Sequence, residues 1–290
     1  MSAMILVIGA AGKTGRAVLR ALVGRREPIR ALIHRPDQAP SLQALGVQET
    51  LVGDLLDRAD MQRAVDGVRA IYHMAPNVSP DEIPMGKTVI SAAQSADIER
   101  LVLHSVLHPH IEAMPHHWQK ARVEELLFAS GLPFTILQPT AYMQNVAAAW
   151  DQILTQGRYP VPYSPDTRLS LVDLEDVAQA AARVLVEPGY TGATIELVGT
   201  PGMSPRDIVE LLSAELDRRV TVEVVPLEAW ERKARASGLG EYQVSALTRM
   251  FAYYEEHGLT GSPQALTGLL GRQPTSFPAF VRRVIQEHGL

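Results

Sequence analysis

Two stretches of this chain carry residue types at spacings that chemistry can use. The first is Gly9-Ala-Ala-Gly12-Lys-Thr-Gly15, which follows an apolar run at residues 4–8 and opens a segment of helical periodicity at 14–24. In that context Gly9 permits a tight exit from a strand and Gly12 lets backbone approach a pyrophosphate. Gly15 lets the helix pack closely on the sheet, and the helix N-terminus faces the phosphates. Ala11, Lys13 and Thr14 complete the candidate phosphate loop. The same glycines would also serve as a helix cap in an α/β protein of another kind. A P-loop is not expected, because Lys13 and Thr14 do not complete the order G-x-x-x-x-G-K-[ST].

The second stretch holds five of the nine histidines, from His104 to His117. A helical zinc pair needs i, i+4 spacing and a third ligand. His108 and His110 instead flank Pro109, and His116 and His117 are adjacent, so no metal is expected. His116 and Lys120 do stand at i, i+4 and would share a helix face just after a strand. The carboxyl ends of strands are where open α/β sheets bind ligands. The charged turn Arg122-Val-Glu124-Glu125 suits a solvent-facing helix equally well, and the residues alone leave both readings open.

Several elements must position these groups. Short β-branched runs at 4–8, 29–33, 47–52, 70–74, 101–105 and 134–137 alternate with helical stretches at 14–24, 40–45, 59–65, 85–96 and 115–130. This rhythm predicts an α/β fold, a Rossmann-like doubly wound parallel sheet. The end of the second strand reads His34-Arg35-Pro36, with no acid before Asp37. An acid there would bond the adenine ribose hydroxyls of NAD, whereas cations favour the extra phosphate of NADP. With Lys13 nearby, NADP(H) is favoured over NAD(H); otherwise Arg35 is a solvated surface residue.

After Pro139 the rhythm changes. Residues 141–155 read as a helix, 157–167 with three prolines as an exposed excursion, and 169–172 with the helix 174–186 as a return to the main sheet. Further strands are expected at 194–198 and 220–225. The domain expectation is therefore a dinucleotide-binding Rossmann domain at 1–155, to which 168–187 return. A smaller, interleaved α/β C-terminal substrate domain follows at 188–290, with 156–167 added to it. Trp230, Met250, Phe251, Tyr253 and Tyr254 read chiefly as core of that part.

The 290 residues are 46% hydrophobic and 20% charged, which excludes disorder, collagen and coiled coil as the main architecture. The absence of cysteine removes disulfides, iron–sulfur clusters, thiolate zinc sites and a cysteine nucleophile. A net charge of -5, with no basic, aromatic-interleaved surface, argues against direct nucleic-acid binding. No run is long enough to span a membrane and none reads as a signal peptide, so a cytoplasmic protein without membrane association is expected.

Further landmarks are the Gly53-Asp54 pair, His116-x-x-x-Lys120, Gln138-Pro-Thr-Ala-Tyr-Met-Gln-Asn145 and Val172-Asp173 followed by Asp176-Val-Ala. With the glycine loop, in this order, the chain resembles an atypical short-chain dehydrogenase/reductase of the NmrA-like family. That group includes redox-sensing regulators, quinone and triphenylmethane dye reductases and isoflavone reductase-like enzymes. The resemblance implies that Asp54 and Leu55 border the adenine, that Ala75, Pro76 and Asn77 pass beside the cofactor, and that Lys120 holds the nicotinamide ribose. It implies further that Pro139, Tyr142 and Asn145 wall the nicotinamide and substrate pocket. Lys87 resembles a lysine that some members place near the cofactor.

The chain departs from the family pattern in two places. His34 occupies the usual arginine slot, with Arg35 displaced by one position, and His116 stands where typical short-chain dehydrogenases carry the tyrosine of Tyr-x-x-x-Lys. An imidazole of ordinary pKa about 6.5 is a different acid from a tyrosine, so alcohol dehydrogenation is not the expected chemistry. The expectation is an NAD(P)H-dependent oxidoreductase passing hydride to an apolar, conjugated small molecule such as a quinone, dye or enone. Lys120 would assist, with His116 a candidate proton donor. The alternative is a non-catalytic NADPH/NADP redox sensor of the NmrA type. A homodimer or a regulatory protein partner is left open.

Overall fold

The computed structural model describes residues 4–289; residues 1–3 and Leu290, at the two ends of the expectations above, lie outside the described residues. In chain order the elements are β1 (Met4–Val7), α1 (Lys13–Gly24), β2 (Ile29–Ile33), α2 (Ala39–Gln43), β3 (Glu49–Val52), α3 (Arg58–Val65), β4 (Val68–His73), α4 (Glu82–Gln94), β5 (Arg100–His104), α5 (Pro115–Phe128) and β6 (Phe134–Pro139). They continue with β7 (Ala141–Tyr142), α6 (Gln144–Ala147), α7 (Trp150–Gln156), β8 (Arg158–Val161), β9 (Leu171–Val172), α8 (Leu174–Val186) and β10 (Ala193–Leu197). The last are α9 (Pro205–Leu216), β11 (Thr221–Val224), α10 (Leu227–Ala236), α11 (Glu241–His257), α12 (Gln264–Leu270) and α13 (Phe277–Glu287). The chain forms two compact units. One holds the chain to His110 with His116–Gln138 and Val177–Ile195; the other holds Ile111–Pro115, Pro139–Asp176 and the chain from Glu196.

The first unit is built on a seven-stranded sheet in the order β10-β6-β5-β4-β1-β2-β3. The pairings of β1 with β2 and β4, β2 with β3, β4 with β5 and β5 with β6 are all parallel. Parallel strands joined by helical crossovers are covered on both faces, so they read as continuous apolar runs. Ile5, Leu6 and Val7 of β1 are accordingly all buried. Leu6, Ile8, Ile71, Leu101, Leu103 and Ile136 pack with Met61, Val89, Val123 and Leu127 from α3, α4 and α5 in one apolar core. The strand order reverses at β1, so the β1 and β4 carboxyl ends flank the switch point at which such sheets bind ligands.

α4 begins at Glu82, three residues ahead of the expected start at Met85. Pro84 falls within the first turn, where a proline is tolerated because the amides there have no intrahelical acceptor. This places Glu82 on the helix.

The second unit has two small parallel sheets, β8 with β11 and β7 with β9. Three expectations are corrected here. The single helix expected at 141–155 is instead β7, α6 and α7. Met143, Val146, Trp150 and Ile153 keep helical spacing in one core, but Met143 donates its amide to the Val172 carbonyl at 2.9 Å and the backbone breaks. Periodicity reported the buried face and not the continuity of the helix. The excursion at 157–167 is in part strand β8, with Tyr159 and Val161 buried. Its prolines are compatible with pairing because a two-stranded sheet leaves one side of each strand unpaired.

The third correction concerns 169–172. Leu171 and Val172 pair with β7, and Leu169 bridges Met203 and Leu259, so this stretch stays outside the main sheet. The helix after it does connect with the first unit's strands, since Arg100 at the start of β5 donates to the Val184 carbonyl of α8 at 2.6 Å. In the second unit's core, Ile208, Val209 and Leu212 of α9 meet Phe277, Phe280, Val281 and Val284 of α13. Tyr254 is buried, with Tyr163 against it edge-on and Trp230 against Phe251. No helix among the described residues is long and apolar enough to cross a membrane.

Candidate functional site

The glycine loop leaves β1 at a left-handed Gly9, φ 78°, where a Cβ would lie 2.8 Å from the Met74 carbonyl oxygen. At Gly15 a Cβ would collide with the Gly9 carbonyl, so these two glycines are required by the packing of α1 onto the strand ends. Gly12 differs. A Cβ there meets nothing nearer than the Gly9 oxygen at 3.5 Å, so the protein's own packing does not call for glycine. Gly12 is the N-cap of α1, with no side-chain cap and no acid in the first turn. A clear approach to an uncompensated helix N-terminus is what a pyrophosphate needs, and the residues present fit that group. Lys13 is exposed and Thr14 buried beside it, while Arg16 ties the Ala11 carbonyl (3.1 Å) to Ser41 Oγ (2.7 Å).

The turn after β2 is drawn together by one side chain: the amides of His34 and Arg35 both donate to Gln38 Oε1, at 3.1 and 3.2 Å. Arg35 is exposed and forks onto Asp37, Nε to Oδ1 at 3.1 Å. The Arg35 bond holds the Asp37 carboxyl below the usual carboxylate range. After β3, the Asp54 amide donates to Asp60 Oδ2 and the Asp54 carboxylate accepts from the Leu56 amide, which fixes the turn carrying Asp54 and Leu55. After β4, Ala75 is buried and Pro76 and Asn77 are exposed. The next residue, Val78, has φ 51°, a left-handed conformation that a β-branched residue rarely adopts.

The polar centre of this unit surrounds Lys120. Nζ donates to Glu82 Oε1 at 2.9 Å, with the lysine side chain 15% and the glutamate 4% exposed. That is the lysine's only hydrogen-bond partner among the described residues. Burial and the neighbouring Lys120 charge push His73 and His104 down to about 3 and His116 to about 4. Burial, with His116 next, lowers His117 to about 3. All four imidazoles are neutral at pH 7. Tyr72 Oη is bonded to His104 Nδ1 at 2.6 Å, but neither ring nitrogen of His73 has a partner among the described residues, nor has His116 Nδ1. Unpaired buried polar atoms are uncommon in folded proteins and call for a reason.

One turn along α5, Glu124 accepts from Gln138 Nε2 at 2.9 and 3.0 Å and from the Ser105 hydroxyl. Burial raises its carboxyl above the ordinary range, against the lowering by these donors. The arrangement fastens α5 to the ends of β5 and β6.

The first unit thus contains the residues singled out from Gly9 to Lys120. Pro139, Tyr142 and Asn145 belong to the second unit, with Pro139 buried, Tyr142 half-buried and Asn145 exposed. Lys87 is exposed on α4, and the residue of that helix facing Lys120 is Glu82, which sequence reading passed over. His73 and His104 were missed as well. The available signal was histidine closing two successive β-rich runs, a polar residue where such runs otherwise stay apolar.

A model of the NmrA-like family matches residues 1–278. Among curated proteins, the NAD(P)H azoreductase of Xenophilus azovorans is 28% identical over 96% of this chain and 97% of its own. Among solved structures, the NADPH-dependent quinone oxidoreductase of Escherichia coli complexed with NADPH superposes with a TM-score of 0.85. It is 24% identical and covers 97% of this chain and 100% of its own. The negative transcriptional regulator NmrA in complex with NAD superposes at 0.79, with 20% identity, 99% of this chain and 98% of its own.

Proposed function

Because the chain belongs to the NmrA-like family, we propose that it is an NAD(P)H-dependent oxidoreductase that reduces a conjugated acceptor such as a quinone, a dye or an enone. One observation carries this reading. An open glycine loop at an uncapped helix N-terminus shares a unit with a half-buried lysine whose ammonium has donors to spare. The bound dinucleotide supplies the hydride. The loop amides from Gly9 to Gly15 hold its pyrophosphate, Asp54 and Leu55 border the adenine, and Ala75, Pro76 and Asn77 line its path. Lys120 Nζ donates to the nicotinamide ribose through the protons Glu82 does not take.

After hydride transfer the acceptor needs one proton. His116, held near pKa about 4 by burial and the Lys120 charge, carries no imidazolium proton at pH 7. Its role in this reading is contact as a neutral ring, and the proton comes from water, as a quinone or dye allows. Arg35 and Lys13 incline the site to NADPH over NADH, with Asp37 offsetting part of the Arg35 charge.

Anaerobic oxidation of NADPH and NADH with a panel of quinones, azo dyes and enones tests this, alongside cofactor titration. Saturable turnover with a matching Kd is the expected result. Tight binding without turnover across the panel would instead favour the non-catalytic redox sensor, whose support here is a likeness of fold alone. Binding of neither cofactor would overturn both.

A further inference from the structure

We infer that Glu82 is a positioning residue for Lys120, holding its ammonium where a dinucleotide's ribose would meet it; this rests on the reading that Lys120 binds the nicotinamide ribose. Three observations converge. First, Glu82 Oε1 is the lysine's single hydrogen-bond partner among the described residues, at 2.9 Å, on a carboxylate that is almost wholly buried. Second, the spacing on the two helices is matched. Gly86 stands four residues after Glu82 on α4, and Val123 three after Lys120 on α5. A Cβ on Gly86 would lie 2.8 Å from Val123 Cγ1, so glycine lets the helices approach one turn away from the ion pair. Third, a buried ion pair is a poor device for stability, since well-packed apolar residues often do as well. Here it is kept near His73 and His116, where both His73 nitrogens and His116 Nδ1 lack a partner among the described residues and already make the region expensive.

The physical account follows from the lysine's chain. Four rotatable bonds give an ammonium many placements, and one buried acceptor selects among them. Glu82 accepts a hydrogen bond from one of the ammonium's N–H groups and leaves the others for ribose hydroxyls. His73, His104 and His116 are neutral, so Glu82 is also the anion that balances the cation in this cluster.

The test compares Glu82→Gln, Glu82→Asp, Lys120→Ala and the Glu82→Gln/Lys120→Ala double variant. The probes are NAD(P)H, in whichever form the wild type binds more tightly, and ADP or adenosine 2′,5′-bisphosphate, which lack the nicotinamide ribose. Circular dichroism confirms folding, and Glu82→Asp, which keeps the charge, provides a milder change. Glu82→Gln is expected to weaken NAD(P)H about tenfold, the size of one charge-assisted hydrogen bond, and to leave the adenosine fragments within about twofold. Glu82→Asp should recover part of the loss. The double variant should be no weaker than Lys120→Ala alone, because one residue acts through the other. Equal weakening of fragment and whole cofactor would show general disturbance and overturn the inference, as would additive losses. It is also overturned if Lys120→Ala weakens NAD(P)H while Glu82→Gln does not. If Lys120→Ala itself changes nothing, the ribose reading fails first and this inference goes with it.

Discussion

The buried aspartates of the second unit and the buried histidines of the first are met in opposite ways. In the second unit Asp173 and Asp176 are fully buried, and each has a cation and further donors. Asp173 takes Arg283 at 2.8 Å and Gln144 Nε2 at 2.8 Å. Asp176 takes Arg272 and the Thr275 amide, both at 2.6 Å. These contacts tie the segment from 173 to the C-terminal helices, and each carboxylate is met by opposite charge. Around Lys120 in the first unit the polar groups are neutral histidines beside one ion pair, and His73 has no partner for either ring nitrogen among the described residues. Satisfied buried polar groups point to architecture, whereas unsatisfied ones gathered at the carboxyl ends of strands point to a ligand site.

The largest expected effect that would sharpen this contrast is at the loop. Gly12→Val should abolish dinucleotide binding, at least a hundredfold by fluorescence titration, since it fills the approach that the fold leaves open. Retained affinity would separate the glycine loop from the ligand. On the architectural side, Arg283→Ala leaves Asp173 without its cation. It should cost about 2–3 kcal/mol in urea unfolding, below the fully buried range because the guanidinium is 27% exposed. Cofactor affinity of the folded variant should not change; a loss there would break the division of roles.

Lys120→Ala should lower kcat/KM about a hundredfold; it also leaves the buried Glu82 carboxylate without its cation and should cost about 3 kcal/mol in urea unfolding, with the fold surviving. A smaller effect is expected at His73. Its folded pKa of about 3 lies below the unfolded value, so the unfolded chain binds more protons below pH 6.5. Stability is therefore fully present above pH 6.5 and is lost as pH falls towards 3. His73→Leu should flatten that slope and hold or raise Tm at pH 7, because two unpaired nitrogens are removed; a clear loss of Tm would show that a partner exists. The smallest effect is at Glu124. Burial raises its pKa, so its stabilising protonated form is lost as pH rises from the unfolded value through the folded one. Glu124→Gln should remove this fall, which runs against the histidine trend, and paired unfolding curves at pH 5 and pH 8 would detect it.

Much of the first unit was legible from sequence because its signals are local. A strand covered on both faces must be a continuous apolar run, and a loop that turns left-handed and packs backbone to backbone must be glycine. Residues 29–33 and 174–186 were placed with their observed bounds for that reason. Elsewhere the reading failed. The start expected at Met85 left out the first turn of α4 and with it Glu82, and the spacing of Met143, Val146, Trp150 and Ile153 concealed a break in the backbone.

By itself, then, the sequence determined the strand and helix rhythm and the glycine loop between β1 and α1, since each depends on residues close together in the chain. Only tertiary structure decided that Glu82, 38 positions from Lys120, would be the lysine's counter-ion. It alone made His73, His104 and His116 neutral and sent 169–172 to β7 instead of the main sheet. Charge state and strand pairing depend on what surrounds a residue in space. A carboxylate and an ammonium on separate helices carry no sequence mark of their meeting until the fold brings α4 against α5 at Gly86.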